Sequence, residues 1–338
     1  MKAKDSGQFL PLPPPLCRGD RVRLVASSSA LQESQRLEAG INLLRSWGLQ
    51  VESRASEIVG RRWGYLAGHD QERVEDLIQP PPNGQESAAA LFACVRGGWG
   101  SARLLERSPA LPPGWLLGFS DVTSLLWDRM ARGQGGGIHG PLLTTLAAEP
   151  AWSQERLRCL LFGKPLAELA GEIWVSGVAE GPLLVANLTV ATHLLGTPHL
   201  PKLDGAILVL EDVGEAPYRI DRMLTHWRLV GALQRLGGIG FGSFLDCDDA
   251  PRNPNEPKQH RFSLEEVLAE RTTDLGVPVV ARLPVGHAPG NAALPLGVAA
   301  RLDGRRGVLS LGGTTQLGGE KGLETANGTR RRSRRQIC

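Results

Sequence analysis

Apolar positions along the chain fall into short runs, separated by stretches in which they recur every three or four residues. RVRLVA at 21–26 is a β-branched apolar run closed by Ser27-Ser28-Ser29, a typical helix-start cluster. Leu37, Ile41, Leu44 and Trp47 then mark one face of a helix ending before Gly48. LQVE at 49–52 reads as a short strand and residues 73–78 as a helical piece. AAALFACV at 88–95 leads into Arg96-Gly97-Gly98-Trp99-Gly100. GWLLGF at 114–119 leads into Ser120, after which Val122, Leu125, Leu126 and Met130 share a helix face. Apolar strands alternating with amphipathic helices predict an α/β fold with a parallel sheet buried on both faces.

The pattern restarts after a helix and connector at 149–171. AILVL at 206–210 predicts a strand running into Glu211-Asp212. Ile220, Met223, Leu224 and Trp227 form a helical stripe, and GIGFGSFL at 238–245 and VPVVARL at 277–283 are further strands. At roughly 150 residues per domain, 338 residues accommodate two. They are placed at 12–160 and 172–311, and residues 312–338, lacking apolar periodicity, are expected to form a disordered basic tail.

Charge narrows the function classes. The net +3 is produced by the last nineteen residues, which hold six basic side chains against Glu320 and Glu324; the rest of the chain carries −1. No basic domain able to grip a phosphate backbone is visible, so no nucleic-acid partner is expected. The five cysteines form no C-x-x-C pair, which fits a reducing compartment. FLPLPPPL at 9–16 is too broken by proline for a signal peptide. The uncharged stretch 181–201 holds two His and three Pro, so no export, no membrane partner and a cytoplasmic location are expected.

The candidate chemistry sits at strand ends. Ser120 lies at a predicted strand-to-helix turn, where open α/β folds bind ligands and a helix N-terminus favours developing negative charge. A plain N-cap is the competing reading. The second glycine of a G-x-S-x-G elbow is missing. Glu211 follows a strand, Glu215 comes four residues later, and spacing does not choose between them. His287 lies in a Gly/Pro-rich loop past the strand at 277–283, one of seven histidines. None of these falls in a zinc-binding pair, so no metal is expected. The turn at 96–100 is neither G-x-G-x-x-G nor a P-loop. The order Ser, Glu, His, each at a strand end, is nonetheless what a nucleophile-acid-base triad on an α/β sheet requires.

On four ordered blocks the chain resembles the LD-carboxypeptidase family of serine peptidases from about Leu12 to Leu311. The blocks are Arg96-Gly-Gly-Trp-Gly100, Gly118-Phe-Ser-Asp-Val-Thr123, Leu210 to Leu224 (LEDVGEAPYRIDRML), and Gly286-His287 near Asn291. The resemblance implies Ser120 as nucleophile, His287 as general base and Glu211 as the carboxylate orienting it. It also implies an oxyanion hole from backbone N–H groups near Gly98 and Asp121, and no cofactor. The implied fold is a flavodoxin/amidotransferase-like parallel-sheet N-terminal domain and a smaller β/α C-terminal domain, with the active site between them; homodimers are usual in the family. The implied reaction releases terminal D-Ala from the L-centre of meso-diaminopimelate in a murein tetrapeptide during wall recycling. Arg96 is the candidate holder of the substrate carboxylate on charge and position, and Trp99, where Tyr is commoner, a candidate pocket wall. Val185-Ala-Asn-Leu188 stands where many relatives have G-G-N-L. A microcin-immunity branch acting on peptidyl or aminoacyl adenylates carries a longer insert than the 91 residues between Ser120 and Glu211. A non-catalytic binding module on the same scaffold is the other alternative.

Overall fold

A computed structural model describes residues 9–78, 88–248 and 262–312; the tail expected at 312–338 therefore lies, but for its first residue, outside the described residues. Two sheets organise the chain. The first contains β1 (Arg21–Val25), β2 (Gln50–Val51), β3 (Leu91–Cys94), β4 (Trp115–Gly118) and β5 (Gly137–His139), all parallel, in the order β5-β4-β3-β1-β2. The second contains β6 (Leu169–Ala170), β7 (Glu172–Val175), β8 (Val178–Asn187), β9 (Ile207–Val213), β10 (Gly238–Leu245) and β11 (Val279–Ala281). Its centre, β8-β9-β10-β11, is parallel. Of the three remaining strands, β12 (Leu294–Pro295) leaves the C-terminal half to pair antiparallel with β5 at the edge of the first sheet. The pair β13 (Ala299–Asp303) and β14 (Val308–Leu311) extends the second sheet beyond β8.

Helices cover both faces. They are α1 (Gln35–Ser46), α2 (Ala55–Gly60), α3 (Asp70–Ile78), α4 (Ser101–Leu105), α5 (Thr123–Ala131), α6 (Leu143–Leu146) and α7 (Ala151–Leu161) in the first half. In the second they are α8 (Leu188–Leu194), α9 (Pro217–Leu229) and α10 (Leu264–Thr272). Alternation along β1 explains the layering: Val22 and Leu24 join Leu37, Ile41 and Leu44 of α1 in one core, while Val25 joins Val74 and Leu77 of α3 in the other. The second core runs on into the C-terminal half. There Trp127 of α5 meets Trp227 of α9 edge-on, ring centroids 6.3 Å apart, and donates its indole N–H to the Val185 carbonyl at 3.1 Å. The two halves thus share one continuous apolar interior.

Two local expectations are corrected. Ser27-Ser28-Ser29 does not start a helix; α1 begins at Gln35, and Ser27 and Ser28 are fully buried. Glu211 does not follow its strand but sits within β9, so pleating sends it and Asp212 to opposite faces. Asp212 is consumed structurally, accepting hydrogen bonds from the Asn187 amide, the Val213 N–H and the Thr189 N–H and hydroxyl.

Candidate active site

In parallel strands every carboxyl end lies on one side. In the first sheet that edge gathers Ser27-Ser28-Ser29 after β1, the glycine turn at 96–100 after β3, and Ser120 after β4. In the second it gathers Glu211 near the end of β9, Ser243 in β10, and the His287 loop beyond β11. A cleft of about 490 Å³ between the two edges is lined by Arg36, Arg96, Gly97, Gly98, Phe119, Ser120, Thr144 and His287, among others. A second lobe of about 620 Å³ shares Arg36, Phe119, Thr144, Thr145 and His287, and adds Glu149 and Pro289.

Ser120 occupies the left-handed region with φ +61°, a conformation L-residues pay roughly 1–2 kcal/mol to adopt. The chain reaches it from Gly118, where a Cβ would press on Val122 of the following turn at 2.8 Å. A single 3₁₀ turn, residues 120–122, then merges into α5. The N-cap reading does not hold: Val122 precedes α5, and the Ser120 hydroxyl makes no capping bond. The turn opposite is built to approach it, since a Cβ on Gly97 would lie 3.1 Å from both Ser120 Cβ and Oγ.

That turn is fastened by side chains whose sequence context gave no sign of the role. Ser29 Oγ accepts the Trp99 N–H at 3.0 Å, and the Ser29 N–H donates to the Gly97 carbonyl at 3.3 Å. Gly98, with φ +105°, has no room for a Cβ against the Ser29 side chain. The fully buried Arg73 guanidinium donates to the Ser27 carbonyl and, at 2.8 Å, to the Gly100 carbonyl; Asp70 balances its charge at 2.5 Å. The Gly98 N–H donates to no acceptor among the described residues.

His287 Nδ1 lies 2.6 Å from Oε2 of the fully buried Glu211, a charge-assisted N–H···O bond. Burial raises the Glu211 pKa, and the bond from His287 opposes that rise. Nδ1 is thereby committed, leaving Nε2 as the nitrogen able to exchange a proton. The imidazole packs against Phe119 with centroids 4.8 Å apart; no direct hydrogen bond joins it to Ser120, whose side chain shares its cleft. Beneath Phe119 lies His139, fully buried and held at about 3 by burial, hence uncharged. Geometry separates the two glutamates: Glu215 faces another groove and pairs with Arg219 at 3.4 Å.

The remaining sequence candidates are placed as follows. Arg96 lines the cleft, one guanidinium nitrogen anchored on the Ala30 carbonyl at 2.8 Å. Asp121 is buried, its side chain accepting the Ser101 N–H at 2.8 Å. Trp99 is 41% exposed and does not line the cleft. Asn187 caps α8, accepting the Val190 N–H at 3.1 Å. Among the described residues no group of His, Cys, Asp and Glu could hold a metal ion, and no helix is long and apolar enough to cross a membrane.

The model of the LD-carboxypeptidase N-terminal domain matches residues 22–140, and that of the C-terminal domain matches residues 180–302. The chain belongs to the LD-carboxypeptidase family. A relative from Synechocystis sp. is 48% identical over 301 residues, covering 88% of this chain and 96% of its own length. The murein tetrapeptide carboxypeptidase of Pseudomonas aeruginosa is 36% identical over 307 residues, covering 85% of this chain and 94% of that protein. Among solved structures, the muramoyltetrapeptide carboxypeptidase from Oxalobacter formigenes superposes with a TM-score of 0.71 at 23% identity, covering 86% and 97% of the two chains. The microcin self immunity protein MccF in complex with aspartyl sulfamoyl adenosine gives 0.74 at 21%, covering 89% and 98%. Both superpositions show a common two-domain α/β fold. The chain is thus a serine-type hydrolase of this family.

Proposed function

We propose that the protein is an LD-carboxypeptidase that releases terminal D-alanine from a murein tetrapeptide, with Ser120 as nucleophile, His287 as base and Glu211 as orienting acid. The observation that carries this reading is the Glu211–His287 contact at 2.6 Å, in the same cleft as a serine held at positive φ. Ser120 Oγ attacks the carbonyl of the L-centre while His287 Nε2 takes its proton. The tetrahedral oxyanion falls to the N–H groups of Gly98 and Asp121, donors of a kind worth roughly 2.7–4 kcal/mol each. His287 then returns the proton to the departing D-alanine amine, and water hydrolyses the acyl-enzyme through the same base. Arg96, with Arg36 beside it, supplies positive charge for the carboxylates that such a peptide carries. The 36% identity to a murein tetrapeptide carboxypeptidase, over 94% of that protein, supports a peptide substrate.

The test offers purified protein an L-Ala-D-Glu-meso-diaminopimelate-D-Ala tetrapeptide, its all-L analogue and an aminoacyl sulfamoyl adenosine competitor, scoring free alanine. D-alanine should appear from the first peptide alone. Ser120→Ala and His287→Ala should each abolish release, and the double variant should be no worse than either, because triad members act as a unit. Release surviving in S120A refutes the reading.

A further inference from the structure

The loop bearing His287 leaves β11 of the second sheet and returns as β12 on the edge of the first, so both halves of the chain can fix it. From its own half it is held by Glu211 on His287 Nδ1, and by Ser243 Oγ, which accepts the Ala288 N–H at 3.2 Å. Asn291 Oδ1 closes the loop on itself by accepting the Gly286 N–H at 3.0 Å. From the other half comes Glu149, just ahead of α7. A single oxygen, Oε2, accepts the Gly290 N–H at 2.8 Å and the Asn291 N–H at 3.1 Å. Ser153 Oγ adds a bond to the Asn291 carbonyl at 2.7 Å. Glu149 lines the second lobe of the cleft alongside His287. Burying a carboxylate there costs desolvation, and its bonds from the Gly290 and Asn291 N–H groups and the Ser153 side chain only partly offset that cost. An apolar side chain there would leave both loop N–H groups without this acceptor.

We propose that Glu149 is a positioning residue: it ties the His287 loop to the half of the protein that carries Ser120 and so sets the distance between hydroxyl and imidazole. The inference rests on the reading of Ser120 and His287 as nucleophile and base. A misplacement near 1 Å can cost about 10²-fold in rate, so a tether of this kind acts on kcat.

Glu149→Gln and Glu149→Ala are to be compared with wild type in both the native and the His287→Ala background. Tetrapeptide turnover and the second-order rate of Ser120 labelling by a fluorophosphonate are the readouts. Glutamine keeps a carbonyl oxygen for the two N–H groups without the charge and should lower kcat about threefold; alanine should lower it about tenfold or more. KM should stay within about twofold in both, that step not depending on the imidazole. In the H287A background neither change should alter the residual labelling rate, since no imidazole remains to be placed. Three results overturn the proposal: unchanged kcat in E149A, an equal loss in the H287A background, or a KM rise matching the fall in kcat. Should E149A fail to fold, E149Q and Ser153→Ala, which frees the adjacent tether, carry the same comparison. If H287A itself retains wild-type turnover, the underlying reading fails, whatever the Glu149 variants do.

Discussion

Gly286→Ala strikes the geometry on which the proposed chemistry depends. Gly286 has φ +116°, and an added Cβ would lie 2.6 Å from Ser243 Oγ, 2.7 Å from Glu211 Oε2 and 2.8 Å from Glu211 Cβ. The Ser243 hydroxyl can rotate away. Glu211 Cβ cannot, because it belongs to a fully buried strand residue. Relief has to come from the loop, which carries His287, the next residue, off the Glu211 carboxylate. Loss of imidazole orientation costs on the order of 10²–10⁴ in turnover in serine hydrolases. The lower figure is about 2.8 kcal/mol at roughly 1.4 kcal/mol per tenfold. Backbone strain removes a further 1–3 kcal/mol or so of stability. Gly276→Ala separates the two effects: its φ is +73° and nothing lies within 4 Å of the added Cβ. It should lose roughly 1 kcal/mol of stability with turnover intact. D-alanine release and thermal unfolding, run on both variants, give the comparison. Turnover of G286A within threefold of wild type would refute the claim that the Glu211–His287 contact is needed.

Two further outcomes are expected. Arg96→Ala should raise KM for the tetrapeptide by about tenfold while leaving kcat nearly unchanged, as loss of a carboxylate contact made equally in ground and transition states requires; an unchanged KM removes Arg96 from substrate binding. Asp70 is held down at about 2, first by its hydrogen bond from Arg103 and then by Arg73. A depressed carboxylate stabilises the fold above its unfolded pKa and loses that contribution as pH falls through the folded one. The melting temperature of wild type should therefore exceed that of Asp70→Asn by a full margin above about pH 4, shrinking toward pH 2. A margin independent of pH would contradict the ion-pair account.

Much of the scaffold was legible because local patterns matched tertiary demands. The run 238–245 coincides with β10, and the stripe Ile220, Leu224, Trp227 is the buried face of α9. The strand β8 escaped notice: Gly181 and Pro182 interrupt it and its apolar run passes through Asn187 straight into α8, so no turn bounds it. The short strands β12 and β6 have two residues each and leave no periodic trace. At the candidate site, Ser120, Glu211 and His287 are proposed from strand-end position and family resemblance, and the structure brings Ser120 and His287 to one cleft with Glu211 on the imidazole. Spacing alone left Glu211 and Glu215 open and the resemblance pointed to Glu211; in the structure Glu211 meets His287 while Glu215 pairs with Arg219. Ser29, Arg73 and Glu149 were invisible in that role. Each acts on a backbone group far away in sequence, as Glu149 does on Gly290 across 141 positions, and such pairings follow from the fold rather than from any local spacing.

The placement of β12 bears on how the chain could be divided. Leu294 and Pro295 occlude the outer side of β5, supplying antiparallel partners to Ile138 and His139 from a segment synthesised some 150 residues later. A fragment ending at the connector would leave that strand's hydrogen-bonding groups open to any other extended chain, inviting aggregation. Cutting the polypeptide there would separate the imidazole from the hydroxyl and uncap a sheet in the same stroke, so assembly of the proposed catalytic pair and colloidal safety depend on one crossing of the chain.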